Sequence, residues 1–231
     1  MKNSENKPKF RYRVHFTKIG TARFIGHLDL QSLFQKAIKR SGLPVSYSEG
    51  FNPHQLISFA APLPLGMAGL DEIVDIFMDA QVCHNALLDK LTAQMPEGIS
   101  IHRVYEISPT GKGAAALVSL ATYRITLPIY SDLYCRLVKA VDKILQAPSI
   151  TVVKNTKKGR SEVDIRSDIH SLTCTTFDDY IEVLAGLSTG SQRNLKPSLL
   201  MTYILDTLSI DSKSIQIHYE RKSLHLSEDA I

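Results

Sequence analysis

The chain has 231 residues, 44% of them apolar, and a formal net charge of +4. That length and apolar share exclude a disordered chain and fit one large or two small domains. No apolar run approaches the roughly 20 residues that span a bilayer, and Met1–Pro8 is polar with no apolar segment behind it, so no membrane span and no signal peptide are expected and the expected location is the cytoplasm.

In chain order, residues 1–9 are expected as a basic disordered tail. Phe10–Lys18 alternates Tyr12, Val14 and Phe16 with Arg11, Arg13 and His15, which predicts a half-buried strand with a basic outer face. From Leu30 the period becomes helical (Leu30, Leu33, Phe34, Ala37, Ile38), with Asp29 favouring the start and Gly42 the stop. Pro44–Ser48 reads as a short strand. The stretch from Glu49 to Gly66 reads as a broad hairpin interrupted by Pro and Gly. Glu72–Met78 is a strand, Cys83–Gln94 a helix and Ile99–Ile107 a strand. This order is βαββαβ, the ferredoxin-like split βαβ unit.

Ser108–Ala116 has linker composition, and the pattern then repeats. Leu120–Leu127 is a strand, Asp132–Leu145 a helix that Ser131 can cap, and Thr151–Asn155 a strand. Tyr180–Leu187 is a further strand, Pro197–Leu208 a helix, and Ile215–Tyr219 the last strand. The expected fold class is therefore α+β, with two tandem ferredoxin-like domains built on antiparallel sheets. The domains span 10–108 and 119–231, joined by a linker at 109–118, and the second carries an insertion at 157–175.

Charge is unevenly placed. Residues 1–60 hold ten Lys/Arg against three Asp/Glu, a net +7, and leave −3 for the remainder. Such a field suits a polyanion, nucleic acid first, or else a solubilising tail and a solvated helix face. Cys83, Cys135 and Cys174 are too few and too far apart for a disulfide framework, an iron–sulfur cluster or a four-cysteine zinc site held by this chain alone. No cofactor is expected in the chain itself. GxxxxGK[ST], HExxH and GxSxG are absent, and Thr110–Gly113 is too short for a phosphate loop.

The junction Gly20–Leu30 concentrates chemistry. Arg23 can fork onto phosphate or carboxylate at a helix N-terminus, and His27 can serve as general acid or base. Alternatively Asp29 caps the helix, Arg23 pairs with it and His27 bonds the backbone. In the loop Gly50-Phe51-Asn52-Pro53-His54, Phe51 can stack on a base while Asn52 and His54 read its edge or a phosphate; alternatively Phe51 tucks into the core. His27, His54 and Asp29 are scattered over two loops, too weak a set to assign a metal, and none is assigned. Lys154, Lys157, Lys158 and Arg160 form a basic loop that, with Arg11 and Arg13, can track RNA, or simply keep a hairpin tip soluble. Asp164, Arg166 and Asp168 alternate as a surface ion pair.

Gly20-x-x-Arg23-Phe24-Ile25-x-His27-Leu28-Asp29 is followed by Tyr47-Ser48-x-Gly50-Phe51-Asn52-Pro53-His54, Ile57-Ser58-Phe59 and Pro62-Leu63-Pro64-x-Gly66, with Glu162–Arg166 and Arg193-Asn194-Leu195-x-Pro197 further on. These residues resemble the radical SAM-linked domain of unknown function, which in bacteria is fused to, or encoded beside, a radical S-adenosylmethionine protein, often near ribosomal-protein and ribonuclease genes. The resemblance implies an accessory or substrate-presenting component acting on RNA or a ribosomal particle. The iron–sulfur cluster and S-adenosylmethionine would then reside on the radical SAM partner, and Arg23, His27, Asn52 and His54 would line a pocket in the first domain. Two alternatives stand beside it. One is a metal-independent RNA endonuclease using His27, by analogy with CRISPR repeat-processing enzymes; the other is a protein-docking module without nucleic acid.

Overall fold

Alternation in the first strand carries through to the fold. β1 (Phe10–Lys18) turns Tyr12, Val14 and Phe16 into a closed core. The structure is a computed structural model that describes residues 10–130, 132–156 and 159–227. The tail 1–9, the candidate cap Ser131 and the candidate basic residues Lys157 and Lys158 lie outside the described residues. Among those described, the protein is mixed α/β, with five α-helices and strands whose pairings are mostly antiparallel. It divides into two compact units, one running up to Val118 and including the stretch from Leu226, the other from Ser119 to His225.

In the N-terminal unit β1 leads through a 3-10 turn, Gly20–Phe24, into α1 (His27–Ser41). Then follow β2 (Ile57–Phe59), β3 (Ala68–Met78), α2 (His84–Thr92), β4 (Ile99–Ile107) and α3 (Ala114–Leu117). The strands lie in the order β4-β1-β3-β2, each pair antiparallel. α1 buries Leu30, Phe34, Ala37 and Ile38, and α2 buries Leu87 and Leu91, against Tyr12, Val14, Phe16, Val74 and Ile76. Burial of each large apolar side chain stabilises the fold by about 1.5–3 kcal/mol. Phe16, Phe34 and Phe59 meet with ring centroids 4.9–6.0 Å apart, an aromatic cluster beneath the first turn of α1.

Three expectations for this unit change. α1 starts at His27, with Gly26 as N-cap and no side-chain cap bond, so Asp29 lies inside the first turn and does not cap. Pro44–Ser48 contributes only the isolated bridges Val45↔Met78 and Tyr47↔Gln55, because Pro44 has no N–H for a ladder. The outer face of β1 is not solvated: Arg11, Arg13 and His15 are each only 3% exposed.

The C-terminal unit comprises β5 (Val118–Pro128), α4 (Leu133–Gln146), β6 (Thr151–Thr156), β7 (Gly159–Asp164), β8 (Ile169–Thr176), β9 (Tyr180–Ser188), α5 (Pro197–Thr207) and β10 (His218–Leu226). Its sheet order is β10-β5-β9-β8, while β6 and β7 pair only with each other. The stretch 157–175 therefore contains β7 and most of β8. It is β8, not Thr151–Thr156, that pairs with β9. A register shift between Ile169 and Ser171 breaks the alternation of β8, which removes its period-two signature from the sequence.

Candidate functional site

The 3-10 turn Gly20–Phe24 and the first turn of α1 set the junction residues apart. Arg23 lies over the Phe24 ring, 4.8 Å from its centroid, and its carbonyl accepts from Gly66 N–H at 2.9 Å and from Lys18 Nζ at 3.2 Å. Lys18 is buried and also donates to the Ile25 carbonyl at 2.7 Å, so this lysine holds the turn and is withdrawn from any external anion. His27 is exposed and packs edge-on against Phe59, with centroids 5.7 Å apart. Asp29 is exposed. Among the described residues, no hydrogen bond or ion pair joins Arg23, His27 and Asp29 to one another. His27 thus presents an exposed imidazole oriented by Phe59, and an acid–base role for it depends on a bound molecule that comes within hydrogen-bond reach.

The second predicted element is a pinned loop. Ser48 N–H donates to His54 O at 2.8 Å, His54 N–H donates to Ser48 Oγ at 3.1 Å, and Ser48 Oγ lies 2.8 Å from His54 Nδ1. Gly50, at φ +117, supplies a bend that L-residues avoid. Phe51 at its tip is fully exposed, and Asn52 and His54 are exposed beside it. Its place is thus the surface and not the core. No hydrogen bond connects this loop to His27 or Arg23 among the described residues. Around the 3-10 turn, Phe24, Leu28 and Leu65 are also well exposed, at 60, 75 and 70%.

The cations expected on the outer face of β1 form an internal network. Arg11 Nη2 donates to Asp75 Oδ2 at 2.6 Å, and Arg13 donates from Nε to Oδ1 at 2.8 Å and from Nη2 to Oδ2 at 3.2 Å. Ala114 N–H adds a fourth bond to Oδ2 at 2.8 Å. The surplus positive charge is spread: Arg11 also donates to the Gly111 carbonyl at 2.8 Å and lies 4.8 Å over Phe77. A Cβ at Gly113 would stand 2.7 Å from Arg11 Nη2, so glycine is what lets the segment close over the guanidinium. Residues 109–118, expected as a linker, thus fold onto the sheet and bury Ala114 and Leu117. Burial opposes the charge on Arg13, but the hydrogen bonds and charge of Asp75 outweigh it and raise the guanidinium pKa.

Next to this network is a cluster that sequence reasoning missed. His15 Nδ1 lies 2.6 Å and His102 Nε2 2.9 Å from the same oxygen, Oδ1 of Asp71. His15 Nε2 lies 3.4 Å from the Tyr105 hydroxyl, and Arg103 Nη2 lies 2.8 Å from His15 Nδ1. Burial works against the Asp71 charge, but hydrogen bonding and charge from His15, then from His102, hold its carboxyl below the ordinary value. Two bulges assemble the cluster. β4 pairs His15↔Arg103 but Phe16↔Ile101, so His102 is an extra residue. β3 pairs Phe16↔Glu72 but Lys18↔Gly69, which inserts one residue beside Asp71. Bulges re-aim side chains, and both act here at the same level of β1. Chemically the set offers two imidazoles and a carboxylate for proton transfer or ion ligation. The one signal legible in advance was the polar run His102-Arg103 within an otherwise alternating strand.

In the C-terminal unit, Arg160 is exposed on β7. Asp164 does not pair with Arg166 through its side chain. Its Oδ1 accepts the backbone N–H groups of Ile150 at 2.8 Å and Arg166 at 2.9 Å, and these hold its carboxyl below the ordinary value. Arg166 donates to the carbonyls of Leu145 and Ile169. Asp168 pairs instead with Arg193, at 2.7 Å, so the stretch just after Glu162–Arg166 meets the later motif segment. Two clefts of about 360 Å³ occur in this unit, one lined by Leu127, Pro128 and Tyr180, the other by Arg136, Lys139, Lys143 and Tyr203.

No curated protein matches this chain. Among solved structures it is similar to an unknown protein from Galdieria sulphuraria, with 12% identity over 92% of this chain and 98% of that one, at a TM-score of 0.27. Residues 11–197 match the model of a family described as uncharacterised proteins conserved in bacteria (DUF2344), a span that takes in the junction, the pinned loop, the Asp75 network and the later motifs. The chain belongs to that bacterial family.

Proposed function

We propose that this chain is an accessory docking component for a radical SAM enzyme, engaging that protein through the side chains around the mouth of α1. The observation that carries this reading is the exposure of Phe24, Leu28 and Leu65 around the 3-10 turn, on backbone fixed by Lys18 and Gly66. Large apolar side chains displayed together on a rigid frame are the usual mark of a protein contact. Burial of Arg11, Arg13 and Lys18 favours docking over RNA tracking, because three of the cations in the basic N-terminal region are consumed internally. The radical SAM identity of the partner rests on the motif resemblance, and its cluster and S-adenosylmethionine would be the partner's own. The strand order 4-1-3-2, counted over the four sheet strands of each unit with the β6–β7 hairpin set aside, supports describing both as ferredoxin-like.

The test is co-purification of the full chain with a radical SAM protein from the same bacterium. Joint replacement Phe24→Ser, Leu28→Ser, Leu65→Ser should abolish capture, with Phe51→Ser as the comparison. Undiminished capture by the triple variant would remove the docking surface from consideration.

A second reading has its own support. Full exposure of Phe51 on the pinned loop, with Asn52 and His54 beside it, supports stacking on an unpaired base, and with it a second role in presenting RNA or a ribosomal particle. Binding of tRNA or rRNA that weakens along a salt series and is lost in Phe51→Ser supports it. Binding unchanged in that variant counts against it.

A further inference from the structure

We infer that His15, Asp71 and His102 form a binding site for one divalent first-row transition-metal ion, with a fourth position open to solvent. This does not rest on the docking reading, since none of the three residues belongs to the α1 mouth or to the pinned loop.

Three ligand atoms from three strands converge. His15 Nδ1, His102 Nε2 and one Asp71 carboxylate oxygen lie within 4.8 Å of one another. A tetrahedral ion with ligands at 2.0–2.1 Å spaces them about 3.3 Å apart, so the contacts of 2.6 and 2.9 Å open by about 0.7 and about 0.4 Å to admit it. His102 and Asp71 are partly exposed, at 39 and 25% of their side chains, which leaves an entry path and room for a water.

The network without an ion is over-subscribed. His15 Nδ1 faces the Asp71 carboxylate at 2.6 Å and the Arg103 guanidinium at 2.8 Å. That nitrogen carries either a proton for the carboxylate or a lone pair for the guanidinium, never both. A cation accepting the lone pairs of His15, His102 and Asp71 together resolves the conflict. Arg103, more than half exposed on a long side chain, is free to swing out. His15 is also supported from behind: with Nδ1 as ligand, its Nε2–H faces the Tyr105 hydroxyl, the outer-shell partner that fixes ring orientation in metal sites.

The donor set names the ion class. Two imidazoles and one carboxylate suit Zn²⁺, Fe²⁺, Co²⁺ or Ni²⁺, whereas Ca²⁺ and Mg²⁺ call for oxygen ligands throughout. The bulges strengthen the case, because two independent departures from regular pairing each deliver one ligand to the same level of β1.

The test uses the full chain, stripped with chelator and equilibrated separately with Zn²⁺ and Co²⁺. We expect one ion per chain, a Co²⁺ visible spectrum typical of four- or five-coordination, and at least about tenfold weaker binding in His102→Ala and in Asp71→Asn. His27→Ala, with an imidazole outside the site, should bind as the parent does. Equal binding in parent and His102→Ala, which would mark an ion held by surface histidines or cysteines, overturns the proposal, as does failure of the parent to retain either ion. Should Asp71→Asn not fold, the exposed His102 position decides alone, with a thermal melt confirming that its variant is folded.

Discussion

At the mouth of α1, Arg23, His27 and Asp29 are held in place by backbone position, whereas across β1, β3 and β4 the charged side chains are held by one another. The first group is conspicuous in the sequence and loosely tied in space; the second is inconspicuous and tightly bonded. The contrast teaches that a dense motif can mark side chains left at the disposal of a partner, while residues that bind each other leave little local trace. Arg11 and Arg13 read as a basic face only until Asp75, more than sixty positions away, is placed opposite them.

The sharpest way to break this contrast is Asp75→Asn. It leaves two buried guanidinium groups without a counter-charge and should cost about 3–5 kcal/mol in a denaturant titration. A loss no greater than that of a surface change would mean the network is not internal. Gly113→Ala comes next, at about 1–3 kcal/mol, since its methyl group meets an Arg11 side chain that cannot retreat without giving up Asp75.

Asp71 sharpens the comparison through pH. Its folded-state pKa is depressed, so its contribution to stability is fully present above the ordinary carboxylate value and is lost as pH falls through the folded one. In metal-free protein, the stability gap between parent and Asp71→Asn should narrow as pH falls below the ordinary carboxylate value of about 4. A gap independent of pH in that range would remove His15 and His102 as the cause. The smallest effect is expected at the α1 mouth, where the triple serine variant of Phe24, Leu28 and Leu65 should shift stability by no more than about 0.5 kcal/mol per position while docking is lost.

Regular elements were legible because each has its own period. The stripe Leu30, Phe34, Ala37, Ile38 defined α1, alternation at Tyr12, Val14 and Phe16 defined β1, and the bounds of β4 were found unchanged. β8 escapes because a register shift interrupts its alternation, and Thr151–Asn155, read as a strand of the second unit's repeat, pairs instead with β7. The His15–Asp71–His102 cluster escaped for a related reason. An inserted residue in each of two strands cancels the parity from which facing side chains are deduced, and only the polar run His102-Arg103 hints at it. For the Gly111–Gly113 segment the composition was legible as flexible, but glycine serves there for close approach to Arg11.

Asp75 has one further consequence. It collects four hydrogen bonds from Arg11, Arg13 and Ala114, and so fastens the chain beyond β4 to the middle of the sheet by electrostatics and not by an apolar plug. Its positions are not exchangeable one at a time: neutralising the acid strands two cations, and trimming one base leaves a hole beneath the glycines. Across relatives, the aspartate and both arginines should therefore vary as a unit or not at all.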